Sequence, residues 1–76
     1  MDTEEFWGPI AKAAAEDFTD LRLSPPLIDH DNDQMHILTG LGMRLLAIVT
    51  REAVQRAHDR AHVVIEAARA VAPRNT

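Results

Sequence analysis

The chain has 76 residues, a net charge of −4 and no cysteine. So short a chain forms one domain, residues 1–76, and the missing thiol excludes disulfides, cysteine nucleophiles and cysteine-ligated zinc. Residues 1–5 lack a secretory signal, and the most apolar stretch, 37–49, is too short to span a bilayer, so we predict a cytoplasmic and, from its composition, bacterial protein.

The first predicted element is a helix over about residues 5–20. Asp2 and Glu5 have the spacing of a capping box, whereas Gly8 followed by Pro9 suggests a later start. Apolar residues recur every three or four positions and form one face: Trp7, Ala11, Ala14, Phe18 and Leu21. We expect Trp7 to anchor this helix on the rest of the chain, or else to contact a partner as an exposed hot spot.

A connector follows over about residues 21–31. Ser24-Pro25-Pro26 cannot lie inside a helix, because proline lacks the backbone N–H and restricts the residue before it. This segment also carries leucine and isoleucine side chains, so we expect it to lie against the helices and reverse the chain.

A long helical segment is predicted over about residues 32–72, followed by a short tail, 73–76. Asp31 and Gln34 have capping-box spacing, and residues 35–49 are apolar on nearly every side. Gly40 and Gly42 leave open whether the segment is one helix, or two joined at a kink. No comparable breaker occurs between residues 43 and 72.

One side of the predicted long helix forms a seam of small apolar residues at heptad-like spacing: Val54, Ala57, Ala61, Val64, Ala68 and Val71. A helix this long cannot bury its apolar side against the other half of so short a chain. We therefore predict an all-α fold that assembles into an oligomeric helical bundle through this seam and Trp7. We predict a homodimer first, and a complex with a different protein as the alternative.

A metal site is the best candidate for chemistry. His58 and His62 are four residues apart, so on one helix both imidazoles would reach the same ion, and Glu66 could add a carboxylate. Zinc or another divalent transition metal is the cofactor such a site would take, and no other cofactor is expected. The competing interpretation is that both histidines are simply solvated or lie in an interface.

Two weaker patterns concern calcium and nucleic acid. Residues 29–33 resemble the start of a calcium loop, but Gln34 and Gly40 stand where that loop needs glycine and glutamate. Helix capping explains these acids, and a hard-cation or mixed His/Asp site with His30 and His36 is the alternative. Arginines on the last segment could contact phosphates, but acids interleave with them, so nucleic-acid binding is not expected.

The sequence contains no glycine-rich phosphate loop, nucleophile elbow or zinc-protease motif. We therefore predict a small non-catalytic helical interaction protein: an oligomeric adaptor, a regulator or a subunit of a larger assembly. The alternative is a helical metal-binding protein, or a metal-dependent enzyme, that uses His58, His62 and Glu66.

Overall fold

The computed structural model describes residues 2–72 and shows an α+β fold. Its elements, in chain order, are α1 (Thr3–Asp20), β1 (Leu27–Asp29), β2 (Gln34–Leu38), β3 (Leu45–Thr50), α2 (Arg51–Gln55) and α3 (Arg60–Val71). The predicted all-α fold and its helical bundle are therefore wrong, because much of the supposed long helix is an antiparallel sheet. The predicted tail, residues 73–76, lies outside the described residues.

The first helix is present where the apolar spacing predicted it, and it begins earlier than about residue 5. Asp2 is its N-cap, and its carboxylate accepts a hydrogen bond from the backbone N–H of Glu5 at 2.9 Å. Pro9 lies inside the helix. The side of α1 that faces the rest of the chain is buried and contains Phe6, Trp7, Ile10, Ala14 and Phe18.

Three strands form a meander in the order β1–β2–β3. β2 is central and pairs antiparallel with both neighbours, with Leu27 opposite His36 and His36 opposite Ile48. A tight turn joins β1 to β2, where the Asp29 carboxylate accepts hydrogen bonds from the backbone N–H groups of Asp31 and Asn32, both at 3.1 Å. These acids therefore stabilise a turn, and not the helix start predicted at residues 31–34.

Gly40 and Gly42 belong to the β2–β3 hairpin loop and do not kink a helix. Gly42 has a φ of +68°, a left-handed conformation that glycine adopts without steric cost. A Cβ atom on Gly40 would lie 2.7 Å from the Arg22 carbonyl oxygen, so only glycine lets these two backbone segments approach so closely. Both glycines are therefore explained by the hairpin.

The part of the predicted long helix that follows β3 is helical, but it is divided into two helices, α2 and α3. Thr50 caps α2 by accepting a hydrogen bond from the backbone N–H of Ala53, and the helix ends after Gln55. Asp59 then caps α3 by accepting from the backbone N–H of His62 at 3.1 Å. Residues 56–59 form a turn between the two helices, so the predicted uninterrupted helix does not exist here either.

The core lies between the sheet and the helices. Its fully buried large side chains come from α1, β2, α2 and α3, and they are Trp7, Phe18, Met35, Ile37, Val54 and Val64. α1 packs against α3, and α3 also contacts β3. Within residues 2–72, no helix is long and apolar enough to cross a membrane.

Candidate interaction surface

One face of the sheet is buried and the other faces solvent, because side chains alternate between the two faces along a strand. Met35 and Ile37 of β2 and Val49 of β3 are buried under the helices and define the inner face. The strand register places the outer-face side chains on the opposite side, in three rows that run from the β1–β2 turn to the hairpin: Asp29, Gln34 and Thr50; then Leu27, His36 and Ile48; then Leu38 and Leu45. No helix of the described chain covers this outer face.

Part of the outer face is apolar and open to solvent. Leu27, Leu45 and Ile48 are each about half exposed, at 51%, 47% and 48%. The hairpin tip extends this apolar surface, since Leu41 and Met43 are 85% and 84% exposed. These are all the large hydrophobic side chains that lie exposed within residues 2–72, and all of them belong to the sheet or its β2–β3 hairpin loop.

His36 lies at the centre of the outer face, between Leu27 and Ile48 in the register, next to the polar row at the turn end. Its Nε2 atom lies 3.6 Å from the Asp29 carboxylate. Hydrogen bonds from Asn32 hold the pKa of Asp29 below its usual value, with His36 contributing less. The carboxylate therefore stays ionised at the end of β1.

The two ends of the sheet carry charges of opposite sign. The β1–β2 turn carries the carboxylates of Asp29 and the exposed Asp31. The opposite end carries the exposed side chains of Arg44, in the hairpin, and Arg22, whose backbone lies against Gly40. Asp20, at the end of α1, belongs to the helical layer. The sheet thus has carboxylates at its turn end and arginines at its hairpin end.

A polar network on the other side of the sheet fixes α1 to the strands. The Trp7 indole Nε1–H donates to the Asp33 carboxylate at 2.9 Å, and the Arg51 guanidinium pairs with the second oxygen of that carboxylate. Arg51 also lies over the Phe6 ring, 4.4 Å from its centroid. This network joins α1, the β1–β2 turn and α2, and its buried aromatic residues mark it as structural.

A groove of about 690 Å³ lies between α1 and the turn that precedes α3. Phe6, Pro9 and Ile10 line it, together with charged residues that include Arg60. However, Phe6 is only 3% exposed and Ile10 only 6%, so neither of these large apolar side chains offers a ligand much surface. The sheet's outer face is the stronger candidate surface.

The residues predicted to form an intermolecular seam lie in or against the chain's own core. Val54, Val64 and Ala68 have no exposed surface, and Val71 packs against the same cluster. Ala57 and Ala61 are half-buried at the turn before α3 and in its first turn. Trp7 is fully buried, which is the anchoring role expected for it. These side chains are covered within one chain.

The structure separates the histidines of the predicted metal site. His58 lies in the turn before α3 and His62 in its first turn, so the two do not share a helix. His62 Nε2 lies 3.3 Å from a Glu66 carboxylate oxygen, and both side chains are about 60% exposed (62% and 59%). Within residues 2–72, no group of three or more His, Asp or Glu side chains is arranged to hold a metal ion.

Sequence reasoning missed the outer sheet face altogether. A signal for it was present: two apolar runs, at residues 35–38 and 45–50, flank a short segment that contains two glycines. Comparisons with known proteins add no further guide, since no protein-family model, no curated protein and no solved structure matches this chain.

Proposed function

We propose that this chain is a small protein-interaction module that binds its partner through the outer face of its sheet. The single observation behind the proposal is the concentration of exposed large apolar side chains on that face and its hairpin tip. Contiguous exposed apolar surface on a small chain is typical of protein–protein binding sites. The predicted role of adaptor, regulator or assembly subunit is retained, but with a sheet surface in place of a helical seam.

The architecture supports this choice. All the helices of the described chain lie on the inner face, and the outer face has no second layer. Antiparallel sheets with one solvated face normally alternate apolar and polar residues, so that the solvated face is polar. Here the outward positions next to the turn are polar, but those toward the hairpin and at the strand edges are apolar, and this apolar part suits a covered surface: Leu27, Leu38, Leu45 and Ile48.

β3 adds a second supporting feature. It is an edge strand, because β2 is its single neighbour in the described sheet, and its sequence LLAIVT contains no charge or proline. Proteins usually protect such edges with charged residues, proline or a covering element, since an open apolar edge invites pairing. A partner that binds the outer face and also extends past β3 would provide that protection.

Site-specific photo-crosslinking tests the proposal. A photoreactive phenylalanine derivative would replace Ile48 on the outer face, and Ala13, an exposed residue on α1, would serve as the matched control position. We expect a protein adduct of defined mass from position 48 in a lysate of the source cells, and none from position 13. Adding Leu45→Glu to the position-48 protein should abolish the adduct.

Two results would count against the proposal. Equal labelling from positions 48 and 13 would show that capture is indiscriminate. An adduct that survives Leu45→Glu would show that the apolar face does not hold the partner. The circular dichroism spectrum should be unchanged by Leu45→Glu, since this side chain is half exposed and contributes to no buried core cluster.

A further inference from the structure

We infer that β3 pairs edge to edge with β3 of a second copy of this chain, antiparallel, so that two three-stranded sheets become one continuous sheet. A two-fold axis perpendicular to the sheet at Ile48 relates the two copies. The dimer goes beyond the proposed function, because it uses the edge of the sheet and leaves the outer face open to a different partner.

The two edges of the sheet differ in their protection. β1 has three residues and follows Pro25-Pro26, and proline has no N–H to offer a further strand. β3 has six residues, none of them charged or proline, and within residues 2–72 only β2 pairs with it. The β2–β3 ladder is regular from Ala47 to Thr50, and its one irregular step lies nearer the hairpin. The regular part of β3 is therefore the edge that is open to another strand.

Two hydrogen bonds show which way the backbone groups of β2 point. The Leu38 carbonyl oxygen accepts from the Ser24 N–H at 3.2 Å, on the β1 side of the sheet. The Thr39 N–H donates to the Arg44 carbonyl oxygen at 3.0 Å, on the β3 side. Backbone groups of successive residues in a strand point to opposite sides. The odd-numbered residues of β2 therefore bond with β3, and the even-numbered ones with β1.

This alternation fixes the direction of the backbone groups in β3. Met35 lies opposite Val49 and Ile37 opposite Ala47, so these two residues of β3 point their N–H and C=O groups toward β2. The N–H and C=O of Ile48, between them, point toward the open edge. Another strand can bond to Ile48 without breaking any bond of the existing ladder.

The proposed axis satisfies these groups. It places Ile48 opposite its own counterpart, and each Ile48 N–H donates to the other copy's Ile48 carbonyl oxygen, with the two Cα atoms about 5.5 Å apart. Both Ile48 side chains lie on the outer face, are 48% exposed in one chain, and would contact each other across the axis. Val49 lies opposite the second copy's Ala47. Cross-strand contacts between such apolar side chains stabilise a sheet.

The charges at the two ends of β3 also complement one another about this axis. Arg44 lies four residues before Ile48 and Glu52 four residues after it, and both are exposed. The axis brings Arg44 of each copy beside Glu52 of the other, twice in the dimer. Arg51, at the same end as Glu52, already pairs with Asp33. A parallel pairing of the two strands would place like charges side by side, so the charges favour a second copy in the antiparallel arrangement.

Analytical ultracentrifugation across a range of concentrations is the first test. We expect the wild type to approach twice the mass of one chain as its concentration rises. Ile48→Pro should stay monomeric, because it removes the N–H that points to the open edge, and an edge strand tolerates proline at such a position. Ile48→Val keeps the N–H and should still dimerise. A dimer that persists in folded Ile48→Pro would overturn the inference.

Amide hydrogen exchange in the wild type locates the contact without any substitution. The Ile48 amide should exchange about tenfold more slowly, or slower still, as the concentration rises and the dimer forms. The neighbouring Val49 amide is the internal control, because it points toward β2 in one chain and in the dimer. If the mass doubles while Ile48 exchange stays unchanged, the dimer forms through another surface and the inference is wrong.

Charge exchange tests the register. Arg44→Glu and Glu52→Arg should each weaken the dimer about tenfold, since symmetry repeats each repulsive pair, and the double variant should recover most of the affinity. Lys12→Glu is the control, because it makes the same charge change on α1, which packs against α3 and β1. No recovery in the double variant would contradict pairing about Ile48.

These results are independent of the proposed function. If the wild type stays monomeric at its highest soluble concentration, the dimer is excluded. A heterologous photo-adduct from position 48 that Leu45→Glu abolishes would then still support the interaction module. In the opposite case, a dimer with protected Ile48 amides whose single photo-adduct has twice the mass of one chain keeps the dimer and removes the proposed function.

Discussion

The Trp7 indole donates a hydrogen bond to the Asp33 carboxylate across 26 positions of sequence, at 2.9 Å. Trp7 is fully buried, and its N–H is the single polar group that the ring must satisfy. Asp33 lies at the end of the β1–β2 turn with a φ of +54° and also pairs with Arg51. One carboxylate therefore fixes the first helix, the turn and the start of α2 relative to one another.

Asp33→Asn should alter the pH dependence of stability. The Arg51 guanidinium, with the Trp7 indole contributing less, holds the pKa of Asp33 below its usual value in the folded chain. A lowered folded-state pKa contributes stability above the unfolded value of about 3.9, and this stability is lost as the pH falls through the folded pKa. We therefore expect the urea midpoint of the wild type to fall steeply below about pH 4, and less steeply in Asp33→Asn.

Asparagine suits this comparison because it adopts a positive φ readily, so the substitution changes the charge and not the turn. Asp31→Asn is the control, since it removes an exposed carboxylate from the same turn. Its urea midpoint should follow the wild-type pH profile. If the urea midpoints of both variants become less dependent on pH by the same amount, Asp33 has no special coupling to Arg51 and Trp7.

Gly40→Ala should destabilise the chain by about 2 kcal/mol, a typical cost of forcing an added carbon into a packed site. The reason is the Arg22 carbonyl oxygen, which would lie 2.7 Å from the new Cβ atom. Gly42→Asn is the control, because asparagine accepts the positive φ at that position, and it should cost less than about 1 kcal/mol. Urea unfolding of both variants measures this difference. Equal stability would contradict the close approach of the two backbone segments.

The first helix could be predicted from sequence because its signals agree. A capping residue, a three-to-four spacing of apolar side chains and a following pair of prolines all indicate the same element. The segment from Met35 to Val49 gives no such agreement. Short runs that are apolar at nearly every position fit a covered helix and a strand equally well, and periodicity cannot separate them.

Two features could have decided in favour of strands. Ile37, Ile48 and Val49 are β-branched, and glycines at positions 40 and 42 separate the runs by a length suited to a hairpin. The break before α3 was harder to detect, because residues 56–59 contain neither proline nor glycine. Asp59 as an N-cap is the one local signal, and it is also compatible with a helix interior.

The metal alternative leads to a clear expectation for zinc. Structural zinc sites in proteins use four ligands, whereas His62 and Glu66 form a solvent-exposed pair in the described structure. We expect equimolar zinc to leave the thermal midpoint of the wild type unchanged within error. The thermal midpoint of His62→Ala should be equally indifferent to zinc. A zinc-dependent rise in the wild type that disappears in both His58→Ala and His62→Ala would restore the predicted site.

Val64→Ala distinguishes a core role from a seam role for α3. Val64 is fully buried in the chain's own core, so removing two methyl groups should cost about 2 kcal/mol of unfolding free energy. Because the residue faces away from the outer sheet face, the native mass of the folded protein should not change. Val71→Ala is the control at the end of the same helix, where the side chain is half-buried and the loss should be smaller. A change in native mass caused by Val64→Ala at full folding would instead place α3 in an intermolecular contact. Unfolding by urea, combined with light scattering on the same samples, measures both quantities.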